Sequence, residues 1–179
     1  MTAAPAISTG CLGWAHTAGY SHSIDEDAGV LTLRSEAGTR YFIRHRAGGR
    51  VELSEAAADE DPRPTLFAAT ATILERFLYA VLGDEIREDV SLPYLHLPCS
   101  ASDIAPGYRL AGMDRGYRIL NRIGHGPVAA APDEHLSLVT LVPLSHLLGL
   151  TVAAAKRTYL SVDGAPLLVA GRYADAETS

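Results

Sequence analysis

Two residues three apart, His96 and Cys99, are the nearest thing in this sequence to a reactive pair, since a histidine can act as base to a thiol nucleophile. The segment around them, "LPYLHLPCSASDIAPGY", offers little support, because Cys99 sits between Pro98 and Ser100 with no periodic element to aim it. The other histidines do no better. No two of the seven have metal-ligand spacing on a predicted element. His146 lies beside the apolar face of a helix and His16 follows Trp14 in a short N-terminal helix, so both read as packed or hydrogen-bonded side chains. There is no GxSxG elbow, no GxxxxGKS/T phosphate loop and no HExxH. "GHGP" at 124–127 is too short for a helix-start anion site and reads as a turn. No catalytic or metal-ligating set and no cofactor site emerges.

A second cluster is electrostatic. "RYFIRHRAGGRVELSE" carries Arg40, Arg44, His45, Arg46 and Arg50 in a chain of net charge −6. The elements around it decide whether this is a phosphate cradle. "VLTLRS" alternates with period two, "EAGT" supplies a three-residue loop ending at Gly38, and "RAGGR" turns around Gly48. The resulting three-stranded meander over 30–54 sets Leu33 opposite Tyr41, Leu31 opposite Ile43, Ile43 opposite Leu53 and His45 opposite Val51. One face is then a core face, and on the other Arg44 falls across from Glu52, worth about 0.2–1 kcal/mol as a cross-strand pair. The positive residues read as a half-neutralised scaffold face.

The rest of the chain continues in the same style. "DEDPRP" breaks it, and an apolar stripe through Leu66, Ile73, Leu74, Phe77, Val81 and Leu82 predicts a helix from Pro64 to Leu82 that ends at Gly83. Residues 90–108, with three prolines, form a long loop or short extended pieces. "GYRLAGM" and "RGYRILNRIG" predict a hairpin around Met113, Asp114 and Arg115, and "HLSLVTL" (135–141) alternates like a strand. Thr140 caps a helix over 141–148 with Pro143 near its start and Gly149 at its end. Thr151 caps another, "VAAAKRTYL", and "PLLVAGRY" makes a last strand. The pattern is α+β: antiparallel β-meanders packed against a long amphipathic helix and C-terminal helices, loosely arranged as two meander-plus-helix halves.

The expected organisation is one domain over 1–179, ordered from about 10 to 172 with frayed ends. Cys11 and Cys99 show no CxxC spacing, so a disulfide framework is not expected and a reducing cytosol is the default. The N-terminus has no secretory pattern, and "LVPLSHLLGLTVAAA" falls short of the roughly 20 apolar residues of a bilayer span. A pI near 5.6 argues against nucleic acid as partner. Acidic runs at 25–27, 59–61 and 84–89 read as solvated surface, or as a field that steers a basic partner.

Four stretches taken together carry a family resemblance: "RYFIRHRAGGRVELSE", "FAATATILERFLYAVLGDEIR", "LPYLHLPCSASDIAPGY" and "LVPLSHLLGLTVAAAKRTYLSVDGAPLL". In order and spacing they resemble the antitoxin family typified by the immunity factor for tuberculosis necrotizing toxin, over residues 12–168. Arg40 to Ile43, Leu92-Pro93, Pro98, Pro106, Tyr108 and Leu144-Ser145-His146 are among the matching positions. The resemblance implies a cytosolic, non-catalytic immunity protein that binds the NAD⁺-glycohydrolase domain of a secreted toxin, in a 1:1 complex, and blocks its active site. It implies neither a membrane nor a nucleic-acid partner. The proline-bounded loop from His96 to Ile104 is the expected plug, with His96, Cys99, Ser100, Ser102 and Asp103 as toxin-binding residues. Cys99 and Ser100 depart from the family pattern, where bulkier residues stand, which puts cross-protection against other family toxins in doubt. Alternatives remain: immunity against a nuclease or deaminase toxin, a secretion-system adaptor, or an enzyme or ligand sensor using His96, Cys99 or His146.

Overall fold

Alternation along Val30–Ser35 (β2), Arg40–His45 (β3) and Val51–Ala56 (β4) places Leu31, Leu33, Tyr41, Ile43, Val51 and Leu53 on one face, and all six are buried. The computed structural model describes residues 3–174. Leu33 pairs with Tyr41, Leu31 with Ile43, Ile43 with Leu53 and His45 with Val51, the register the loop lengths require. Gly38 and Gly48 both take positive φ in the two turns, the conformation that glycine adopts without steric cost.

These strands form the middle of one antiparallel sheet. Tyr20–Asp25 (β1) adds to its edge, and Arg63–Ala68 (β5) joins β4 to a second meander. That meander comprises Tyr108–Leu110 (β6), Tyr117–Arg122 (β7) and Gly126–Pro132 (β8). The strand order is β1-β2-β3-β4-β5-β8-β7-β6, so the two meanders meet edge to edge in a single sheet. The expected pair of separate halves is therefore merged through β5 and β8.

Four helices complete the layer. Thr9–Thr17 (α1) packs on β1, Ala71–Asp89 (α2) crosses β4 and β5, and Leu136–Leu147 (α3) lies on β7 and β8. Val152–Leu160 (α4) packs on α2. Trp14, Leu74, Leu78, Leu82, Leu141, Leu144 and Tyr159 join the inward strand residues in one core. A short hairpin, Leu168–Val169 (β9) with Arg172–Tyr173 (β10), closes the described chain. Pro5 and Ile7 are buried and Ala4 packs on the core, so the chain is held from before residue 10. Expected fraying at 1–2 and 175–179 lies outside the described residues.

Several expectations are corrected. The segment read as the first turns of a helix at Pro64 is β5: Leu66 pairs with Leu53, and Pro64 sits opposite Ser54 beside a β-bulge, where a missing N–H is tolerated. The helix begins instead after Thr70, whose hydroxyl accepts from the Ile73 N–H at 3.3 Å. It also runs past Gly83 to Asp89. "HLSLVTL" is helical, because the Asp133 carboxylate accepts from the His135 and Leu136 N–H groups and starts α3 there. Thr140 and Pro143 therefore lie inside that helix. The second meander takes its last strand from the alanine-rich 126–132, and "PLLVAGRY" folds back on itself as β9 and β10.

Candidate functional site

The arginine cluster resolves into scaffold. Arg40 donates to the carbonyls of Ala57, Ala58 and Glu60, holding the turn after β4, and Arg50 donates to Ala47 O. Arg44 stands opposite Glu52 as expected, but the ion pair closes from Arg46, at 2.5 Å. Burial raises the Glu52 carboxyl, yet hydrogen bonds from Arg46 and Ser54 outweigh it and hold the group below its ordinary value. Cys11 is equally committed to structure: burial first, then Glu75, pushes its thiol to about 12. A thiol that stays protonated is a poor nucleophile.

The loop after α2 is built differently, as a segment without regular structure pinned at successive points. Arg87 is buried, and its guanidinium donates to Pro93 O, Tyr159 O, Ser161 O and Val162 O, tying the start of the loop to the end of α4. Leu95 then inserts into the core. Tyr173 Oη donates to Pro98 O at 2.7 Å, and the Tyr173 ring stacks on His146 at 3.5 Å between centroids. His146 Nε2 in turn donates to Asp103 O at 2.7 Å. The Ala105 N–H donates to Ser145 Oγ at 3.0 Å. Inside this frame Ser100 and Asp103 form a capping box around one 3₁₀ turn, with the Asp103 carboxylate accepting from Ser100 N–H at 2.9 Å.

The five residues expected to bind therefore divide into two kinds. His96, Ser100 and Ser102 are exposed on one rigid ledge, with His96 packed edge-on against Tyr94. Cys99 is partly buried, and Asp103 is spent on holding the ledge's shape. Among the described residues no hydrogen bond joins Cys99 to a histidine, and no group of three or more His, Cys, Asp or Glu could hold a metal ion. His146, whose imidazole is pushed below its ordinary value by burial, braces the ledge. Sequence reasoning missed the braces themselves, Arg87, Ser145 and Tyr173, and the exposed Tyr94 that flanks the ledge. The arrangement presents a braced, mostly polar edge.

Comparison with known proteins gives the edge a context. The family model for Immunity protein 61 matches residues 14–167. The chain is 26% identical over 174 residues to the immunity factor for TNT of Mycobacterium tuberculosis (strain ATCC 25618 / H37Rv), spanning 93% of this chain and 95% of the relative. It matches the Mycobacterium bovis (strain BCG / Pasteur 1173P2) homolog of that factor equally well. A solved structure, Rv3902c from M. tuberculosis, shares the fold at a TM-score of 0.79 and 24% identity, covering 93% of this chain and 96% of that one. No helix among the described residues is long and apolar enough to cross a membrane.

Proposed function

This chain belongs to the Immunity protein 61 family, and on that premise we propose that it is an antitoxin that binds a secreted NAD⁺-glycohydrolase toxin domain and occludes its active site. The observation that carries the reading is similarity to the immunity factor for TNT along almost the whole of both chains. The braced ledge supplies a physical means. A nanomolar complex needs about −12 kcal/mol, usually from an interface near 1,600 Å². Ordering a loop on binding subtracts from that sum, whereas a loop already tied at Pro93, Pro98, Asp103 and Ala105 loses little entropy when it docks. In this reading His96, Ser100 and Ser102, exposed on the ledge, enter the toxin's cofactor pocket. The protein performs no chemistry in this reading; it acts from the cytoplasm of the producing cell, one copy for each toxin domain.

Titrating the purified chain into a family toxin domain while following NAD⁺ consumption tests the reading. Turnover should vanish at equimolar ratio, and full turnover at large excess would remove the proposal. Replacing residues 99–103 by Gly/Ser should weaken inhibition by about tenfold or more while the fold is retained, since a tenfold change is about 1.4 kcal/mol of contact. Unchanged inhibition by that variant would move the plug elsewhere on the surface.

A further inference from the structure

Between α2, α3, α4 and the start of the ledge lies a cavity of about 200 Å³. Phe77 and Val81 of α2, Leu97 of the loop, and Pro143 and Leu147 of α3 give it apolar walls. Three polar residues, Asp84, Thr140 and Tyr159, interrupt them. Tyr159 lines the cavity, is fully buried, and its hydroxyl has no hydrogen-bond partner among the described residues. A buried hydroxyl left unpaired carries a desolvation cost that phenylalanine would avoid. Asp84, also in the lining, makes no hydrogen bond or ion pair among the described residues, because the nearby Arg87 is occupied by backbone carbonyls. Tyr94 and Val139, 70% and 56% exposed, form the rim.

Size and charge select the occupant. Pockets for metabolites and cofactors are usually about 300–1,000 Å³, so this one suits a single long side chain. Asp84 also borders an adjoining cleft with Glu85, Glu88 and Arg87, where three carboxylates outnumber one guanidinium already committed to backbone carbonyls, which favours a cation. We propose that the cavity is an anchor socket for one lysine or arginine of a protein partner, its aliphatic stem against Phe77, Val81, Leu97 and Pro143 and its head on Asp84 and the Tyr159 hydroxyl. Long basic side chains are built for such a site, apolar along the stem and charged at the tip, and buried arginines are frequent interface hot spots. That the partner is the toxin domain rests on the function proposed above; the socket itself does not.

The charge state of Asp84 gives the socket a signature. Burial, with Glu85 adding and Arg87 opposing, raises the carboxyl to about 6 from an ordinary 3.8. The folded state thus holds this proton more tightly than the unfolded chain, so the stability it contributes is present at low pH and lost as pH rises through about 6. Tyr94 and Tyr159 line the cavity beside the carboxylate from the loop and α4, and burial pushes the Tyr159 phenol well above its ordinary value. Asp84→Asn should therefore match the wild type in melting temperature near pH 4 and exceed it at pH 7.5, while binding a cation less well. A merely structural carboxylate would not combine those two changes.

The test titrates n-butylguanidinium and its neutral counterpart n-butylurea into the full chain, observing methyl NMR signals of Ala80, Val81 and Val139. The cation should shift them saturably and bind about fivefold or more tighter than the urea, a gap that Asp84→Asn should abolish. Ala80→Phe, filling the socket, should block the cation; should that variant not fold, the two-probe comparison in wild type and Asp84→Asn decides alone. Equal binding of both probes, or no saturable shift, overturns the socket. With the toxin domain, Asp84→Asn should weaken inhibition about tenfold. Probe binding without toxin inhibition would sink the antitoxin reading and leave the socket, whereas inhibition without probe binding would do the reverse.

Discussion

Arg87→Met is expected to lower the free energy of unfolding by about 3–5 kcal/mol, because it strips the donors from a buried hub. Arg87 is 2% exposed, and its guanidinium satisfies the carbonyls of Pro93, Tyr159, Ser161 and Val162 at once. Pro93, Ser161 and Val162 lie outside any helix or strand, and Tyr159 is in the last turn of α4, where carbonyls have no intrahelical partner to take over the bond. Methionine keeps the apolar stem, so the loss isolates the hydrogen bonds from the packing. Each orphaned buried acceptor costs about 1–3 kcal/mol, reduced where water can enter at the partly exposed edge. Lysine is a poor substitute, since a point charge cannot reproduce a planar fork that spans several acceptors. Urea denaturation gives the energy, and amide exchange gives the location: protection should fall in residues 92–98 and 160–163 first. A loss below about 1 kcal/mol would mean that the hub does not hold in solution. The same variant links stability to function, because the ledge at His96 to Ser102 hangs from this anchor. Inhibition of the toxin domain should drop even at temperatures where the variant is folded.

What was legible in the sequence follows from how local the determining interactions are. The register of β2, β3 and β4 is set by period-two alternation and by two short glycine turns, and each pairing sits within a few residues of its turn. The β5–α2 boundary was not legible, because Pro64 is equally suited to a helix start and to an irregular strand position, and Leu66 continues the apolar stripe of the helix by coincidence of spacing. The strand that pairs β5 to the second meander, β8, is rich in alanine, whose weak strand preference conceals it. Short apolar runs such as 136–142 cannot be assigned by periodicity alone, and the Asp133 cap that settles α3 lies just outside the run. The ledge shows the same division. Its ends were marked by Pro93, Pro98 and Pro106, but the braces Ser145, His146 and Tyr173 come from 40 to 75 residues away. Arg87 in particular reads as one more solvated charge at the end of an acidic run, and only the convergence of α4 on α2 turns it inward.

Gly83 shows the consequence of that convergence, and it carries the second large effect. Read in isolation, a glycine after an amphipathic stripe marks a helix end, yet α2 continues for six more residues to Asp89. A Cβ at this position would lie 2.4 Å from Tyr159 Cγ and 2.8 Å from Cβ and Cδ1. The Tyr159 ring cannot yield: it is fully buried, and Arg87 holds its carbonyl. Alanine should favour the helix intrinsically by about 1 kcal/mol. Overpacking of a rigid contact costs about 1–3 kcal/mol, occasionally more, and here the added methyl meets three ring and stem atoms below contact distance. The clash wins, and with the overpacking cost at the upper end of that range Gly83→Ala should lose a net of about 2 kcal/mol, measured by urea denaturation. The sign is decisive, since a glycine whose only role was to end the helix would give a neutral or stabilising alanine. A second substitution confirms the cause. Tyr159→Ala on the Gly83→Ala background should cost less than Tyr159→Ala alone, because the added methyl partly refills the space the ring leaves. Forcing α4 off α2 also spreads the walls of the cavity at Asp84 and Tyr159, so the close approach that requires glycine is the same contact that shapes the socket.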